Sequence, residues 1–339
     1  MGTTYNITAI GAELDEGALS TAVEESLAAV NASMSNWDPN SEVSVFSATA
    51  DTAPVPISPE FATVMSAANL VHEKSGGRFD VTLGPLIELW GFGPRKPDDP
   101  VPSDGAIAEA LTQVGQAKLL VLNAAAGTMA KSDPAVGINL GAIAKGYGVD
   151  AVAEVLQGFG SKDYMVEIGG DLVTSGTNDQ REPWRIGIEK PEIGAQGVEL
   201  ILPISDLGLA TSGDYRNFFE HDGVRLSHIL DPVTGRPIIH NTTSVTVVTD
   251  TEAIDGRCLG RDCDAGYGAR RRVLEPLKNI SWQFSSISRG CHGRREMAIV
   301  SARQRLSPRC LRRSNAACLH CSGFAACWRY VHGWHVAGA

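Results

Sequence analysis

The chain has 339 residues, of which 43% are hydrophobic and 20% charged, so it can bury a core and is not a disordered polymer. Its net charge of −10 argues against nucleic acid as the main partner. No run of 18 apolar residues occurs, so the sequence predicts no transmembrane helix.

Four helices are predicted in the first half of the chain. Apolar residues at steps of three and four predict an amphipathic helix over 15–34. Ser58-Pro59-Glu60 is typical of a helix start, with Ser58 as the N-cap, and Gly76-Gly77 is typical of a helix end. Shorter periodic segments predict helices over 105–114 and near 142–157.

Short runs rich in β-branched residues predict strands between and after these helices. They are Leu119–Leu122, Tyr164–Ile168, Trp184–Ile188, Val198–Pro203, Arg225–Leu230 and Ser244–Val248. After residue 160 the strands follow one another through Gly, Asp and Pro turns, without regular alternation of strand and helix. The pattern favours an α+β fold, with mainly antiparallel sheets and packed helices, over a doubly wound parallel sheet.

Charge and cysteine content change abruptly near residue 254. Residues 1–253 contain 14 Lys and Arg against 34 Asp and Glu, a net charge of −20, and no cysteine. Residues 254–339 contain 15 basic residues against 5 acidic ones, a net charge of +10, and all 7 cysteines. We therefore predict two unrelated stretches, a body over 1–253, in which disulfides play no part, and a tail over 254–339.

Two segments of the body have glycines where a ligand could approach the backbone. In Ser75–Asp80 and the following Gly84–Gly93, paired glycines and an aromatic residue beside an acid suit a flat, hydrogen-bonding ring, although a helix end followed by a turn gives the same pattern. In Ile138–Tyr147, a glycine at a helix start and Lys145 suit an anion. The Walker spacing is absent there, and a lysine lying along an ordinary helix is the alternative.

Two later segments carry acids and a histidine. Glu167–Asp171 is a strand that ends in a Gly-Gly-acid turn, a pattern that by itself is typical of a plain connection. Thr211–Tyr215 contains a Ser-Gly-Asp turn, and Ser227–Gly235 contains His228. A lone histidine on a strand is usually structural, but with this turn a polar site is plausible, and histidine accepts protons near neutral pH.

In this order, the four segments resemble the ApbE family, the FAD:protein FMN transferases. The resemblance also covers Met1-Gly2-Thr3 and Trp37–Glu42, and it extends over about residues 1–255. It implies an enzyme that cleaves the pyrophosphate of FAD, transfers FMN to a threonine hydroxyl of a flavin-acceptor protein and releases AMP. It also implies a divalent ion, usually Mg²⁺, on the pyrophosphate.

The resemblance implies roles for individual residues as well. Trp37 would stack on the isoalloxazine ring, and His228 would be the general base toward the acceptor hydroxyl. The carbonyl of Ala142 and the carboxylate of Asp255 would bind the metal, which prefers oxygen ligands. Lys145 would serve both catalysis and FAD binding, and the other residues expected around FAD are Met1, Arg78, Phe79, Asp80, Asn139 and Ile229.

The sequence departs from the family pattern at two places in the expected site. Asn139 stands where the family usually has an acid, so one charge near the flavin or metal is missing. The family also has a metal-binding Thr four residues after the Asp, but here Asp255 is followed by Gly256-Arg257-Cys258-Leu259. The alternative function is therefore an FAD-binding protein without transferase activity.

The start of the chain shows no targeting signal. It lacks the basic and apolar segments of a signal peptide and the Ser or Thr that myristoylation needs, so as written the sequence predicts a cytoplasmic protein. The family usually carries a lipoprotein signal or a membrane anchor ahead of the Met-Gly-Thr segment and is typically periplasmic. A membrane partner is therefore expected only if such an anchor is missing here.

The tail has two competing interpretations. Codons permitted for residues 256–266, shifted by one base, encode a sequence close to the family's metal-binding helix, so we hypothesise that the reading frame slips near 254–256. Alternatively, the tail is a zinc or nucleic-acid module, since Cys318 and Cys321 have ligand spacing and histidines are available. The second cysteine pair of a zinc ribbon is missing.

Overall fold

The computed structural model describes residues 2–11, 14–92, 101–191, 197–239 and 242–249, and the backbone of two strands over 280–286 and 296–304. Its helices are α1 Glu16–Met34, α2 Glu42–Ala48, α3 Pro59–Lys74, α4 Gly84–Leu89, α5 Asp104–Leu111, α6 Gln116–Leu119 and α7 Ala144–Gly158. None of the helices in these ranges is long and apolar enough to cross a membrane.

The strands are mostly short. They are β1 Tyr5–Ile10, β2 Val55–Pro56, β3 Leu120–Asn123, β4 Thr128–Lys131, β5 Asp163–Ile168, β6 Asp171–Ser175, β7 Trp184–Glu189, β8 Val198–Ile204, β9 Gly208–Gly213, β10 Phe218–His221, β11 Val224–Ser227, β12 Thr242–Thr249, β13 Ile280–Ser286 and β14 Glu296–Gln304. The largest sheet has the order β1-β5-β6-β9-β12-β14-β13. In it only the β12–β14 pair is parallel. The predicted α+β class, with mainly antiparallel sheets, is confirmed.

Capping explains where the two long N-terminal helices begin and end. The side chain of Asp15 accepts a hydrogen bond from the backbone N–H of Ala18 at 3.0 Å and so caps α1. Ser58 caps α3 in the same way through the N–H of Phe61 at 3.1 Å. This helix ends where Gly76 and Gly77 adopt φ values of 65° and 82°, a region that residues with a Cβ avoid. Both helices confirm the sequence prediction.

Three predicted boundaries differ from the structure. The helix expected over 105–114 ends at Leu111, and the helix expected from 142 begins at Ala144 because the residues before it form a turn. The strand expected over Arg225–Leu230 ends at Ser227, because the next residue bonds through its backbone to Asn217 and the chain leaves the hairpin. Leu230 instead forms an isolated bridge with Pro237.

Three of the apolar clusters among the described residues hold the elements around the candidate site together. The first joins α1, α2 and α3 to residues 138–144. The second packs α1 and α7 on β1 and β5, and the third fills the space between the large sheet and the β7–β8 hairpin. Both of the first two clusters contain residues of α1 and α7. Leu140 and Ile143, on either side of the turn before α7, are buried in the first cluster. This placement fixes the turn that carries the candidate site.

Candidate functional site

Trp37 lies in the turn between α1 and α2 and is 77% exposed. The turn is held by Ser41, whose hydroxyl donates to the carbonyl of Ser35 at 2.7 Å, while its own backbone N–H bonds to the carbonyl of Asp38 at 3.1 Å. Ser41 also caps α2 by accepting from the N–H of Ser44. A fixed backbone therefore presents a large indole face that the described chain does not cover, which suits stacking with a flat ring.

The side chain of Asn36 connects this turn to residues 138–140. Its Nδ2 donates to the carbonyl of Ile138 at 2.6 Å, and its Oδ1 accepts from the N–H of Leu140 at 2.8 Å. The residue between these partners is Asn139, whose own Oδ1 accepts from the N–H of Gly141 at 3.0 Å. Trp37 and Asn139, both predicted from the family resemblance, are therefore attached to one another through Asn36, which the sequence analysis missed.

A buried lysine anchors the segment that leads to Asn139. Lys131 is 1% exposed, and its Nζ donates to the carbonyls of Ser47, Pro134 and Val136 at 2.8, 2.8 and 3.1 Å. Burial lowers the pKa of this ammonium, and nearby Asp133 raises it by a smaller amount. No feature of the sequence separated Lys131 from an exposed lysine, so this anchor was also missed.

Lys145 lies at the start of α7 and reaches the turn between β5 and β6. Its Nζ donates to the carbonyl of Gly169 at 2.6 Å and lies 3.8 Å from Oδ2 of Asp171, whose side chain is fully buried. The second and third segments singled out in the sequence are thus in direct contact. The turn before α7 also carries Ala142, whose carbonyl accepts no hydrogen bond from any residue that the structure describes.

Gly169 and Gly170 form a two-residue turn that only glycine fits. Their φ values are 55° and 93°, and Ile168 pairs with Asp171 on either side of them. A Cβ at Gly169 would lie 2.7 Å from Oγ1 of Thr3 and would also press on Lys145. The glycine pair therefore gives the Lys145 side chain room to reach the turn.

The segment after α3 connects two parts of the site. Nη1 of Arg78 donates to Oδ1 of Asp231 at 2.9 Å, and the carbonyl of Val81 accepts from the N–H of Asn139 at 2.7 Å. Residues 78–81 thus contact both the Asn139 turn and the loop after His228.

Phe79 and Asp80 have structural partners within the chain. The ring of Phe79 is 3% exposed and packs in the first apolar cluster, while its N–H donates to Oγ of Ser75 at 3.1 Å and its carbonyl oxygen lies 2.6 Å from Nδ1 of His72. The carboxylate of Asp80 accepts from the N–H of Thr82 at 2.8 Å and from the N–H of Gln116 at 3.0 Å. The sequence pattern had suggested that these two side chains suit a flat ring. In the structure neither side chain is presented to one.

His228 is the first residue after β11, and its tautomer is fixed by the backbone. Its Nδ1 lies 3.1 Å from the carbonyl oxygen of Asn217, and its own N–H bonds to the same oxygen at 3.1 Å. A carbonyl oxygen can only accept, so Nδ1 carries the proton and Nε2 of the neutral ring carries the lone pair. The next residue, Ile229, is 4% exposed, and its carbonyl accepts from the N–H of Ile238 at 3.0 Å.

The Ser212–Tyr215 turn packs near the hairpin that ends at His228. Arg225 stacks on the ring of Phe218 at 4.2 Å, and its Nη1 lies 3.6 Å from Oδ1 of Asp214. Burial, and then the charge of Glu189, raise the pKa of Tyr215, whose hydroxyl lies 3.1 Å from that carboxylate. The turn is therefore tied to two neighbouring hairpins.

Two residues of the expected site, Met1 and Asp255, lie outside the described residues, as do the cysteines of the tail. Within the described ranges, no group of three or more His, Cys, Asp and Glu side chains could hold a metal ion. Of the expected metal ligands, the structure therefore describes only the carbonyl of Ala142. The remaining predicted residues occupy two regions that contact each other. One contains Trp37, Asn139 and Lys145, and the other contains Arg78 and the residues around His228.

Comparison with known proteins finds close relatives. The family model described as ApbE family matches residues 1–259. The FAD:protein FMN transferase of Vibrio cholerae is 42% identical over 264 residues, which cover 77% of this chain and 76% of that protein. The transferase of the same name from Haemophilus influenzae is 40% identical over 271 residues and covers 77% of both chains.

Solved structures resemble the fold as well. The flavin transferase ApbE from Vibrio cholerae aligns with a TM-score of 0.75 at 36% identity, covering 89% of this chain and 94% of that one. The apo form of the Pseudomonas stutzeri flavinyl transferase ApbE aligns with a TM-score of 0.74 at 30% identity, covering 88% and 91%. Sequence and fold thus point to the same family.

Proposed function

The chain belongs to the ApbE family, and we propose from that membership that it transfers FMN from FAD to a threonine hydroxyl of a target protein, with Mg²⁺ and with release of AMP. It is an enzyme of the FAD:protein FMN transferase type, as the names of its relatives indicate. The threonine, the metal and the AMP are the parts that we add. The observation that supports the proposed transfer most strongly is the tautomer of His228, which places the lone pair on Nε2.

The flavin is proposed to stack on Trp37. This indole is 77% exposed, yet the backbone around it is held by Ser41 and Asn36, so little order has to be gained on binding. Phe79 and Ile229 are proposed to support the wall of the site from behind, since both side chains are buried. Arg78 is 27% exposed beside Asp231, and it is proposed to orient this wall.

The pyrophosphate is proposed to lie at the start of α7. The N–H groups of a helix start and the charge of Lys145 both favour an anion there. The Ala142 carbonyl fits Mg²⁺, because it is an oxygen donor without a hydrogen-bond partner among the described residues, and Asp255 is proposed to complete its protein ligands. When bound, Mg²⁺ supplies positive charge that neutralises the pyrophosphate.

The proposed reaction uses His228 as the base. Nε2 of His228 takes the proton of the threonine hydroxyl, and the freed oxygen forms a bond to the phosphorus on the FMN side of the pyrophosphate. The bond from that phosphorus to the bridging oxygen breaks, and AMP leaves with the electron pair. The products are a threonine phosphoester of FMN and AMP, and the proton passes from His228 to solvent.

A second candidate function, FAD binding without transfer, is favoured by one observation. Asn139 occupies the corner beside Trp37, and its Oδ1 already accepts from the N–H of Gly141 at 3.0 Å. A neutral amide engaged in its own turn supplies no charge for a metal. If the metal site fails for this reason, FAD would bind but not react.

The two functions are separated by one incubation. The chain is mixed with FAD, Mg²⁺ and an acceptor domain that the Vibrio cholerae relative flavinylates, and the acceptor is analysed by mass spectrometry. Covalent FMN on the acceptor together with AMP supports transfer. Intact FAD that copurifies with the chain, without modified acceptor, supports the binding protein.

We also propose that the functional unit is the body over 1–253 and that the tail over 254–339 is read out of frame. The support is compositional, since the charge of the chain reverses at this point and all 7 cysteines follow it. Sequencing the gene across codons 250–266 tests the proposal. It is wrong if the shifted codons do not encode the Asp-Ala-Leu-Ala-Thr type of helix.

A further inference from the structure

Asn36 is the one side chain described here whose donor and acceptor both bind the backbone on either side of Asn139. Its Nδ2 donates to the carbonyl of Ile138 at 2.6 Å, and its Oδ1 accepts from the N–H of Leu140 at 2.8 Å. The second distance is typical of an N–H···O hydrogen bond, and the first is slightly shorter than usual. The two bonds together fix both the distance and the orientation of the Ile138–Leu140 turn relative to Asn36. We call this pair of bonds the Asn36 clamp.

The Asn36 clamp connects both halves of the proposed site, the turn of Trp37 and the turn before α7. On one side, Asn36 is the neighbour of Trp37. On the other side, Leu140 is fully buried, and its carbonyl accepts from the N–H groups of Ile143 and Ala144 at 2.9 Å each. The position of Leu140 therefore sets where α7 begins and where the carbonyl of Ala142 points.

Few other side chains could make this pair of bonds. An aspartate offers only acceptors and would place a negative charge against the carbonyl of Ile138. An alanine would leave one buried carbonyl and one buried N–H without these partners. The amide of asparagine supplies one donor and one acceptor at the required spacing.

The fold does not depend on Asn36 alone. The N–H of Ile138 also bonds to Oγ of Ser47 at 2.9 Å, and Lys131 holds the carbonyls of Pro134 and Val136. These contacts keep the segment against α2 when Asn36 is changed. The expected effect of losing Asn36 is therefore a local shift between Trp37 and the turn, with a folded chain.

We propose that Asn36 is a positioning residue that holds Trp37 at a fixed distance from the turn carrying Asn139 and Ala142, so that the flavin and the pyrophosphate of one FAD molecule are bound together. The proposal rests on the proposed function. Asn36 does not itself contact FAD; it acts through Trp37 and through the start of α7.

The test compares Asn36→Ala and Asn36→Asp with Asn31→Ala as a matched control. Asn31 lies on the same helix, and its Nδ2 donates to the carbonyl of Leu27 at 3.0 Å, within α1. Three quantities are measured on the full chain: the Kd for FAD without metal, the Mg²⁺ concentration that half-saturates FAD turnover or binding, and the melting temperature. The emission of bound flavin is recorded as well, since stacking on an indole quenches it.

Loss of one or two hydrogen bonds of about 1 kcal/mol each predicts that Asn36→Ala raises both the Kd for FAD and the Mg²⁺ requirement about tenfold. Flavin emission should rise, and the variant should still unfold in one cooperative thermal transition, as Asn31→Ala does. Asn36→Asp, which keeps the shape, should show the same pattern and decides the question if the alanine variant does not fold.

The proposal is overturned if folded Asn36 variants bind FAD and Mg²⁺ like the wild type, or if Asn31→Ala changes both constants equally. Failure of the proposed function would look different. A wild-type chain that binds FAD but yields no modified acceptor would refute transfer, while the FAD constants of the Asn36 variants would still decide the role of the clamp.

Discussion

Nδ1 of His228 lies 3.1 Å from the carbonyl oxygen of Asn217, so Nδ1 carries the ring proton and the lone pair is on Nε2. The backbone thus chooses the tautomer that a general base needs.

Replacing His228 should slow transfer without preventing FAD binding. His228→Gln is expected to lower kcat by about 10²–10⁴, the usual contribution of a general base. Its Kd for FAD should change by less than about twofold, as measured by fluorescence titration. His221→Gln is the matched control, since His221 is 52% exposed on the same hairpin. Equal turnover in both variants would remove His228 from the mechanism.

Trp37 should matter for the flavin and not for folding. Because its indole is 77% exposed, Trp37→Ala should change the free energy of unfolding by less than about 0.5 kcal/mol. Loss of stacking worth about 0.5–1.5 kcal/mol should raise the Kd for FAD by roughly 2- to 13-fold, and Trp37→Phe should recover part of the loss. Val121→Ala, at a 64% exposed position on β3, is the control. Unchanged FAD affinity in Trp37→Ala would place the flavin elsewhere.

Lys145 should be needed for both FAD binding and stability. Lys145→Ala removes the donor to Gly169 and the charge 3.8 Å from buried Asp171, so the chain should be destabilised by about 1–3 kcal/mol in urea unfolding. The Kd for FAD should rise, because the anion at the start of α7 loses a positive charge. Lys118→Ala, in the exposed last turn of α6, should do neither. A variant that keeps wild-type FAD affinity would show that Lys145 serves only the fold.

Lys131 should contribute to stability although it lies outside the proposed chemistry. Lys131→Met leaves the carbonyls of Ser47, Pro134 and Val136 without this donor, and we expect a loss of about 2–4 kcal/mol. The measurement is urea unfolding, with exposed Lys162→Met as the control. A loss no larger than the control's would mean that water replaces the ammonium.

The same lysine predicts a dependence on pH. Burial lowers the pKa of Lys131 below its ordinary value of 10.5, so the unfolded chain binds more protons than the folded chain between the lowered pKa and 10.5. Stability contributed by this group therefore rises with pH across that window. The difference in unfolding free energy between the wild type and Lys131→Met should widen as the pH approaches 10.5. If this difference in unfolding free energy instead narrows with rising pH, the pKa of Lys131 is not lowered by burial.

Local sequence rules predicted the parts of the fold that depend on local chemistry. Ser58 and Gly76-Gly77 bound α3 as expected, since caps and positive φ angles are properties of a few neighbouring residues. β6 was not predicted, because Asp171–Ser175 follows β5 after only two glycines and no polar loop separates the strands. Its place in the sheet is set by pairing with β9, which lies far along the chain.

The residues of the candidate site likewise fall into those that the sequence predicted and those that it did not. Lys145 and His228 were singled out from their own segments and Trp37 from the family resemblance, because their residue types carry the chemistry. Asn36 and Lys131 were not. Asn36 binds backbone groups 102 and 104 residues away, and one of the three carbonyls bound by Lys131 is 84 residues away. A single sequence does not show which carbonyls a buried amide or ammonium will meet.

The most direct measurement is the fate of the two halves of FAD. The full chain is incubated with FAD, Mg²⁺ and an acceptor domain, or with the same domain after its target threonine is changed to valine. The proposed function predicts an FMN adduct on the threonine form only, one AMP for each adduct, and loss of both products when the metal is chelated. Unbroken FAD and an unmodified acceptor at all metal concentrations would contradict it and leave an FAD-binding protein.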